Sequence, residues 1–317
     1  MIDFNLQQDL QRKQVLVDVA ENGKVRPWKE KKEGNSLLAV AYDSIDGRKA
    51  QRLRACATAV SFAVGKSGKK TLRCANFCRV RLCPMCAWRR TMKIYSHTRK
   101  IVDELSRDGE YRYIFVTLTV KNCLPESLND TVDGMMAGFK RLTEYADFSA
   151  AVKGWYRGLE ITHNVANNTY HPHFHLLCVV KKSYFKGHAY LSQERWVQMW
   201  RKAARLDYDP VCDVRCVKGD TAAAVAEVAK YAVKDADYIL PEDWDLTEET
   251  VRLLDKVLAK RRLVAYGGVM KDMHRQLNLD DEIDGDLVHV DEESVAEENE
   301  AVLTYYWHVG YRQYFAE

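Results

Sequence analysis

The sequence predicts an α+β protein built on an antiparallel sheet, with a basic, cysteine-rich segment ahead of it. Three observations carry this. Segments rich in β-branched and aromatic residues at 111–120, 155–162, 173–180 and 211–218 alternate with segments of helical spacing. A short turn over 164–168 separates the second and third of these, which makes them a hairpin and therefore antiparallel. Five of the nine cysteines fall between Cys56 and Cys86, in a stretch without acidic residues.

In chain order, residues 1–45 are polar with weak periodicity and read as an N-terminal arm with a helix. Residues 54–64 read as a strand, G-K-S-G-K-K as a turn, and 71–77 as the returning strand. The turn holds Gly65-Lys66-Ser67, yet a phosphate-binding P-loop needs glycine where Val60 stands, so that motif is rejected and no nucleotide hydrolysis is proposed. Residues 88–105 have helical spacing with Arg89, Arg90, Lys93, Arg99 and Lys100, which predicts a helix whose exposed face meets DNA phosphates. Helices follow over 131–145, despite two glycines, and over 192–206, where Ser192 is the expected N-cap and Trp196 and Trp200 belong to the core. The Ala-rich segment 221–238 is strongly helical by propensity. Residues 241–317 form a mixed C-terminal region whose aromatic end (Tyr305, Tyr306, Trp307, Tyr311, Tyr314) is expected to return to the core as strand or helix. This gives four parts: an arm (1–45), a basic cysteine-rich segment (46–105), a core of alternating strands and helices (106–240) and the C-terminal region (241–317).

With 317 residues and 47% hydrophobic content the chain buries one large core or two modest ones. No apolar run approaches the ~20 residues of a membrane helix, and M-I-D-F-N-L-Q-Q-D-L lacks a signal-peptide layout. A cytoplasmic protein with no membrane partner is expected, and there clustered cysteines bind metal more readily than they form disulfides. The net charge of +3 conceals two opposed blocks: 15 Lys or Arg and no acid from Gly47 to Val102, and 11 Asp or Glu and no Lys or Arg from Asp280 to Glu300. The first block is an electrostatic footprint for a phosphate backbone, with Arg79, Arg81, Arg89, Arg90 and Lys93 as candidate DNA contacts.

Two sets of metal ligands stand out. In Y-H-P-H-F-H-L-L-C-V-V (170–180) strand alternation puts His171, His173 and His175 on one face. Glu160, on the partner strand of the hairpin, falls beside His173 or His175, and a carboxylate with two imidazoles suits Mg2+ or Mn2+. Glu160 is a better third ligand than His163 or His171, because it lies within the strand. In C-A-N-F-C-R-V-R-L-C-P-M-C-A-W-R-R, Cys83 and Cys86 form a C-x2-C knuckle suited to structural Zn2+. Cys78 is the nearest further ligand, and spacing leaves Cys56 and Cys74 equal as the fourth. On the helix expected over 221–238, Glu227, Tyr231 and Lys234 share one stripe, which is an unusual packing face.

An H-F-H strand with a helical tyrosine beside a lysine resembles the His-hydrophobic-His (HUH) endonucleases. The chain is most similar to the rolling-circle replication initiators of small bacterial plasmids that use one tyrosine and a helper glutamate. The shared motifs are F-C-R-V-R-L-C-P-M-C-A-W-R-R, F-V-T-L-T-V-K-N, L-E-I-T…H-P-H-F-H-L-L, E-V-A-K-Y-A-V-K-D-A-D-Y and R-R-L-V-A-Y-G-G-V-M-K, covering roughly residues 56–280. The resemblance implies an HUH-type central antiparallel sheet flanked by helices, and it favours Cys56 over Cys74 in the zinc site. It implies that Tyr231 nicks single-stranded origin DNA to give a 5′-phosphotyrosine, helped by a metal ion and by Lys234 or Lys230. It further implies that Glu227 activates water at termination. The partners implied are the plasmid double-strand origin, as single strand or hairpin, and a host helicase and DNA polymerase, with room for a homodimer. Two alternatives are an HUH transposase or relaxase, and a non-catalytic zinc-containing DNA-binding regulator. The regulator reading leaves Glu160, His173, His175, Glu227 and Tyr231 unexplained.

Overall fold

The computed structural model describes residues 14–20, 22–66, 68–219, 221–229, 233–281, 285–290 and 301–316. In chain order its helices and strands are α1 (Trp28–Ala41), α2 (Gly47–Ala55), β1 (Ala59–Val64), β2 (Lys70–Ala75), α3 (Pro84–Ser106) and β3 (Tyr111–Thr119). Then come α4 (Leu128–Thr143), α5 (Ala146–Ala151), β4 (Val152–Asn164), β5 (Thr169–Lys181), α6 (Gln193–Ala204), β6 (Cys212–Cys216) and α7 (Ala222–Val228). The chain ends with α8 (Trp244–Leu258), β7 (Val264–Gly268), α9 (Val269–Gln276), β8 (Ala301–His308) and β9 (Gln313–Ala316). They form two compact units, one of Met1–Arg90, Ile239–Arg252 and Ile283–Glu317, the other of Thr91–Tyr238 and Leu253–Glu282.

In the first unit a four-stranded antiparallel sheet runs in the order β2-β1-β8-β9. The strand expected over 54–64 begins only at Ala59. Asp46 accepts from the Arg48 and Lys49 backbone N–H groups and caps α2, which buries Ala50 and Leu53 one turn apart. The aromatic C-terminus returns as two strands, with Tyr305 and Trp28 each meeting Phe62 edge-on at 6.0 and 5.6 Å. Residues 1–13 and 291–300, which include the first 13 residues of the expected arm and six of the eleven acidic residues of the 280–300 run, lie outside the described residues.

The second unit is organised by a five-stranded antiparallel sheet of order β6-β3-β5-β4-β7. Its central strand β5 is buried from Pro172 to Val180, which explains its unbroken apolar run after Phe174. Directly paired residues of antiparallel strands share a face. One face therefore carries Leu118, Leu159 and Phe174, paired across β3, β5 and β4. It is covered by α4 and α6 through Phe139 and Trp200, whose rings stand 5.7 and 6.1 Å from Phe174. Trp196 and Trp200 are fully buried. The other face carries Thr117, Thr119, His173, His175, Gly158 and Glu160.

The two glycines of α4 differ in kind. A Cβ on Gly138 would stand 2.9 Å from the Ala204 Cα, so glycine there lets α4 and α6 cross closely, whereas a Cβ on Gly134 would meet nothing within 4 Å. Gly138→Val is therefore expected to cost about 1–3 kcal/mol by overpacking, and Gly134→Ala to gain up to about 1 kcal/mol from helix propensity. Denaturant unfolding of the two variants checks the opposite signs.

Candidate metal centres and nucleophile segment

Glu160, His173 and His175 converge because β4 and β5 pair in one register. Glu160 lies opposite His173, and Gly158 opposite His175. All three side chains are buried. One carboxylate oxygen, Glu160 Oε2, lies 2.8 Å from His175 Nε2 and 3.5 Å from His173 Nε2. One ligand atom from each residue falls within 4.8 Å of the others. The outer nitrogens are also engaged. His173 Nδ1 lies 3.1 Å from the His171 carbonyl, to which it donates, and His175 Nδ1 lies 3.4 Å from Thr117 Oγ1. A ring that donates through Nδ1 keeps its Nε2 lone pair for a metal. Burial alone would raise the Glu160 carboxyl, but hydrogen bonds from His173 and His175 outweigh it and hold the group well below the usual carboxylate range. An ionised carboxylate and two convergent imidazole nitrogens fit a divalent cation such as Mn2+ or Mg2+ and leave coordination positions open.

His171 and His163 stand outside this group. His171 is half-buried with its ring 5.2 Å from that of His173. His163 is buried at the end of β4, with Nδ1 3.0 Å from the Asp237 carbonyl and Nε2 3.0 Å from Asn168 Oδ1.

The helix expected over 221–238 ends at Val228, and Lys234 has extended backbone followed by a 3-10 turn at Asp235–Asp237. Tertiary hydrogen bonds override the Ala-rich propensity here. The Tyr156 hydroxyl donates to the Val228 carbonyl at 2.8 Å, and His163 takes the Asp237 carbonyl. Gly158 makes room for the helix end, since a Cβ there would lie 3.3 Å from the Val228 carbonyl. Glu227 is exposed on the last turn of α7, and the Lys234 ammonium reaches 3.5 Å from Glu160 Oε1. Glu227 and Lys234 thus do not share a continuous helical stripe. Lys230 and Tyr231 lie outside the described residues. The described residues on either side of them, Val228 and Lys234, both touch the face that carries Glu160, His173 and His175.

The cysteines of the first unit form a second group. Cys56, Cys78, Cys83 and Cys86 are all buried, with their sulfurs within 4.8 Å of one another. Cys56 stands 3.7 Å from both Cys83 and Cys86, and Cys78 stands 3.7 Å from Cys86. Four sulfurs on a tetrahedron at about 2.3 Å from a zinc ion are about 3.8 Å apart, so these separations fit Zn2+ and are far too long for disulfides. Cys74 is exposed on β2 and takes no part.

The model of the family described as "Replication protein" matches residues 69–315. The chain is 40% identical over 328 aligned residues to Protein rep of Bacillus amyloliquefaciens, covering 95% of this chain and 96% of that one. It is 44% identical to Protein rep of a Bacillus species over 77% and 85% of the two chains, and 37% identical to Protein rep of Lactiplantibacillus plantarum over 95% and 99%. The chain belongs to the Rep family of replication proteins. Membership carries the coarse function with it, that of a plasmid replication initiator. No solved structure matches.

For a Rep protein the basic block behaves unexpectedly. Arg89, Arg90 and Lys93, expected on an exposed phosphate-binding face, are each 1% exposed. Arg89 donates to the Leu287 and Val288 carbonyls at 2.9 and 2.7 Å, Arg90 to the Arg79 carbonyl at 3.1 Å, and Lys93 pairs with Asp280. The correction has a simple cause: helical spacing alone does not say which stripe faces inward, and here the cations satisfy backbone carbonyls. Arg79 is exposed and Arg81 half-buried. The sequence reading also missed the roles of Tyr156 and His163, which bond the Val228 and Asp237 carbonyls, and of Lys32 and Asn35 of α1, both buried beside the thiols. Their only sequence signal is polar residues spaced i, i+3 on a helix. No helix among the described residues is long and apolar enough to cross a membrane.

His175→Ala is expected to weaken Mn2+ binding at least tenfold by isothermal titration, while the zinc content expected of the four-cysteine group stays at the wild-type level by elemental analysis. Loss of both metals together, or of neither, would break the assignment of two separate centres.

Proposed function

We propose that this Rep protein initiates rolling-circle replication as an HUH-type endonuclease and strand transferase in the cytoplasm. The observation that carries the reading is the bracket around residue 231: Val228 and Lys234 both contact the Glu160–His173–His175 face, three residues to either side of the only tyrosine between them. Glu160, His173 and His175 would hold Mn2+ or Mg2+, which supplies electrophilic activation of a phosphodiester.

Tyr231 Oη attacks the scissile phosphorus of single-stranded origin DNA. The bond to the 3′ oxygen breaks, leaving a 5′-phosphotyrosine and a free 3′-hydroxyl. That hydroxyl is the primer a host polymerase extends behind a host helicase. A phenol ionises near pH 10, so the nucleophile needs positive charge nearby, which Lys234, three residues further along the chain, would supply. Glu227, four residues before Tyr231 in sequence, takes the proton of the attacking water at termination. The tetrathiolate unit holds Zn2+ and steadies the basic hairpin of β1 and β2 against the origin. Phe115 and Thr117, half-exposed on the same face, leave the centre accessible from the side of β3, with the Phe115 ring 5.5 Å from that of His175.

Tyr231→Phe should abolish the covalent adduct between the protein and a labelled origin oligonucleotide, on a denaturing gel with Mn2+, while origin binding persists. An adduct that survives moves the nucleophile elsewhere, Tyr238 being the next tyrosine in the chain. Glu227→Ala should nick and attach at near wild-type rates but accumulate the adduct; clean release by that variant would remove Glu227 from the mechanism.

A further inference from the structure

The tetrathiolate group is completed from outside the region matched by the family, which begins at residue 69. Each of its four sulfurs accepts at least one N–H hydrogen bond. Three donors come from consecutive backbone amides of the turn before the knuckle: Cys78 N–H to Cys56 at 3.4 Å, Arg79 N–H to Cys86 at 3.3 Å, and Val80 N–H to Cys78 at 3.4 Å. The fourth sulfur, Cys83, has its donor on a distant element. Asn35 Nδ2 of α1 reaches it at 3.3 Å, and the Asn35 side chain is fully buried.

The orientation of that amide is set by Lys32, one turn earlier on the same helix. Lys32 Nζ donates to Asn35 Oδ1 at 3.0 Å, to the Arg54 carbonyl at 3.1 Å and to the Cys56 carbonyl at 2.6 Å. Three acceptors around one nitrogen require three protons, so the geometry is that of an ammonium, 2% exposed and close enough to interact electrostatically with all four cysteines. Zn2+ with four thiolates carries a formal charge of −2, and burying that charge without compensation is costly. An ammonium and four N–H dipoles supply the compensation.

We propose that Asn35 and Lys32 are outer-shell positioning residues of the tetrathiolate metal centre: Asn35 donates the fourth N–H to sulfur, and Lys32 orients it and offsets the charge. This rests on the reading of the four cysteines as a zinc site. It makes α1 part of the metal centre, not an arm attached to it.

The test is zinc affinity of the full-length protein, measured by competition with a chromophoric chelator, with the thiolate-to-metal absorption of the Co2+-substituted protein as a second readout. Removal of an outer-shell partner costs 10–100-fold in metal affinity, so Asn35→Ala and Lys32→Met are each expected to weaken zinc by that factor. Asn35→Asp should weaken it more than Asn35→Ala, although Asp is the closer match in shape, because a carboxylate oxygen then faces a thiolate. A packing role predicts the reverse order. Leu38→Ala, one turn after Asn35 on the same helix and fully buried, serves as the control for general destabilisation. Affinities within twofold of wild type for Asn35→Ala, an Asp variant milder than the Ala variant, or an equal loss in Leu38→Ala would each overturn the proposal. If Lys32→Met does not fold, the two Asn35 variants decide alone. A wild-type protein that binds no zinc would instead remove the metal reading itself.

Discussion

The second unit depends on one constraint, the pairing register of β4 with β5. With Glu160 opposite His173 and Gly158 opposite His175, a carboxylate and two imidazoles share a face, and a glycine sits where the end of α7 must approach. A slip of one residue would turn Glu160 to the Phe174 side and bring Leu159 onto the polar face. The slip is opposed by burial as much as by ligand geometry, since Leu159 and Ile161 would leave the core packed by α4 and α6 while Phe174 lost its apolar partner on β4. Apolar packing on one face of the sheet thus holds three candidate metal ligands in place on the other.

The two centres divide along a physical line. The cysteine group has four ligands, all buried, and an N–H donor for every sulfur, which is the closed arrangement of a structural zinc. The Glu–His–His group has three ligands and a neighbouring strand, β3, whose Phe115, Thr117 and Thr119 stay half-exposed. A site with fewer protein ligands than the ion wants and an accessible side is the arrangement that admits a substrate oxygen.

Much of this was legible in the chain because period-two and C-x2-C patterns report geometry directly. Histidines at 171, 173 and 175 could only share a face, and the turn over 164–168 could only fold β4 back on β5. Spacing failed where the answer was tertiary. Nothing local distinguishes Cys56 from Cys74, since which of them joins the knuckle is decided by Asp46 capping α2 and delaying β1 to Ala59. The Ala-rich run at 221–238 looked like one helix, but Tyr156 and His163 hold its backbone at Val228 and Asp237. Segments 239–252 and 283–317 belong to the same unit as the N-terminus, which no linear reading of composition reveals.

The buried cations bear on how such a protein meets DNA. A stretch with 15 basic residues and no acid reads as a phosphate-binding surface. Yet Arg89 and Arg90 spend their donors on backbone carbonyls, and Lys93 on Asp280, with each side chain removed from solvent. Buried guanidinium donors of this kind fix loops: Arg89 ties residues 287 and 288, within the acidic block, onto the start of α3. Only Lys93 has its charge matched by a carboxylate, and Arg89 and Arg90 keep theirs inside the protein, so none of the three can meet a phosphate directly. Six cations of the block stay exposed: Arg48, Arg52 and Arg54 on α2, Lys66 and Lys69 at the turn between β1 and β2, and Arg79 on the turn before the knuckle. Of these elements, α2 ends with Cys56 as its C-cap, and the Arg79 amide meets Cys86. A metal held by the four cysteines would therefore also set the spacing of the charges on α2 and at Arg79 that a phosphate backbone would meet.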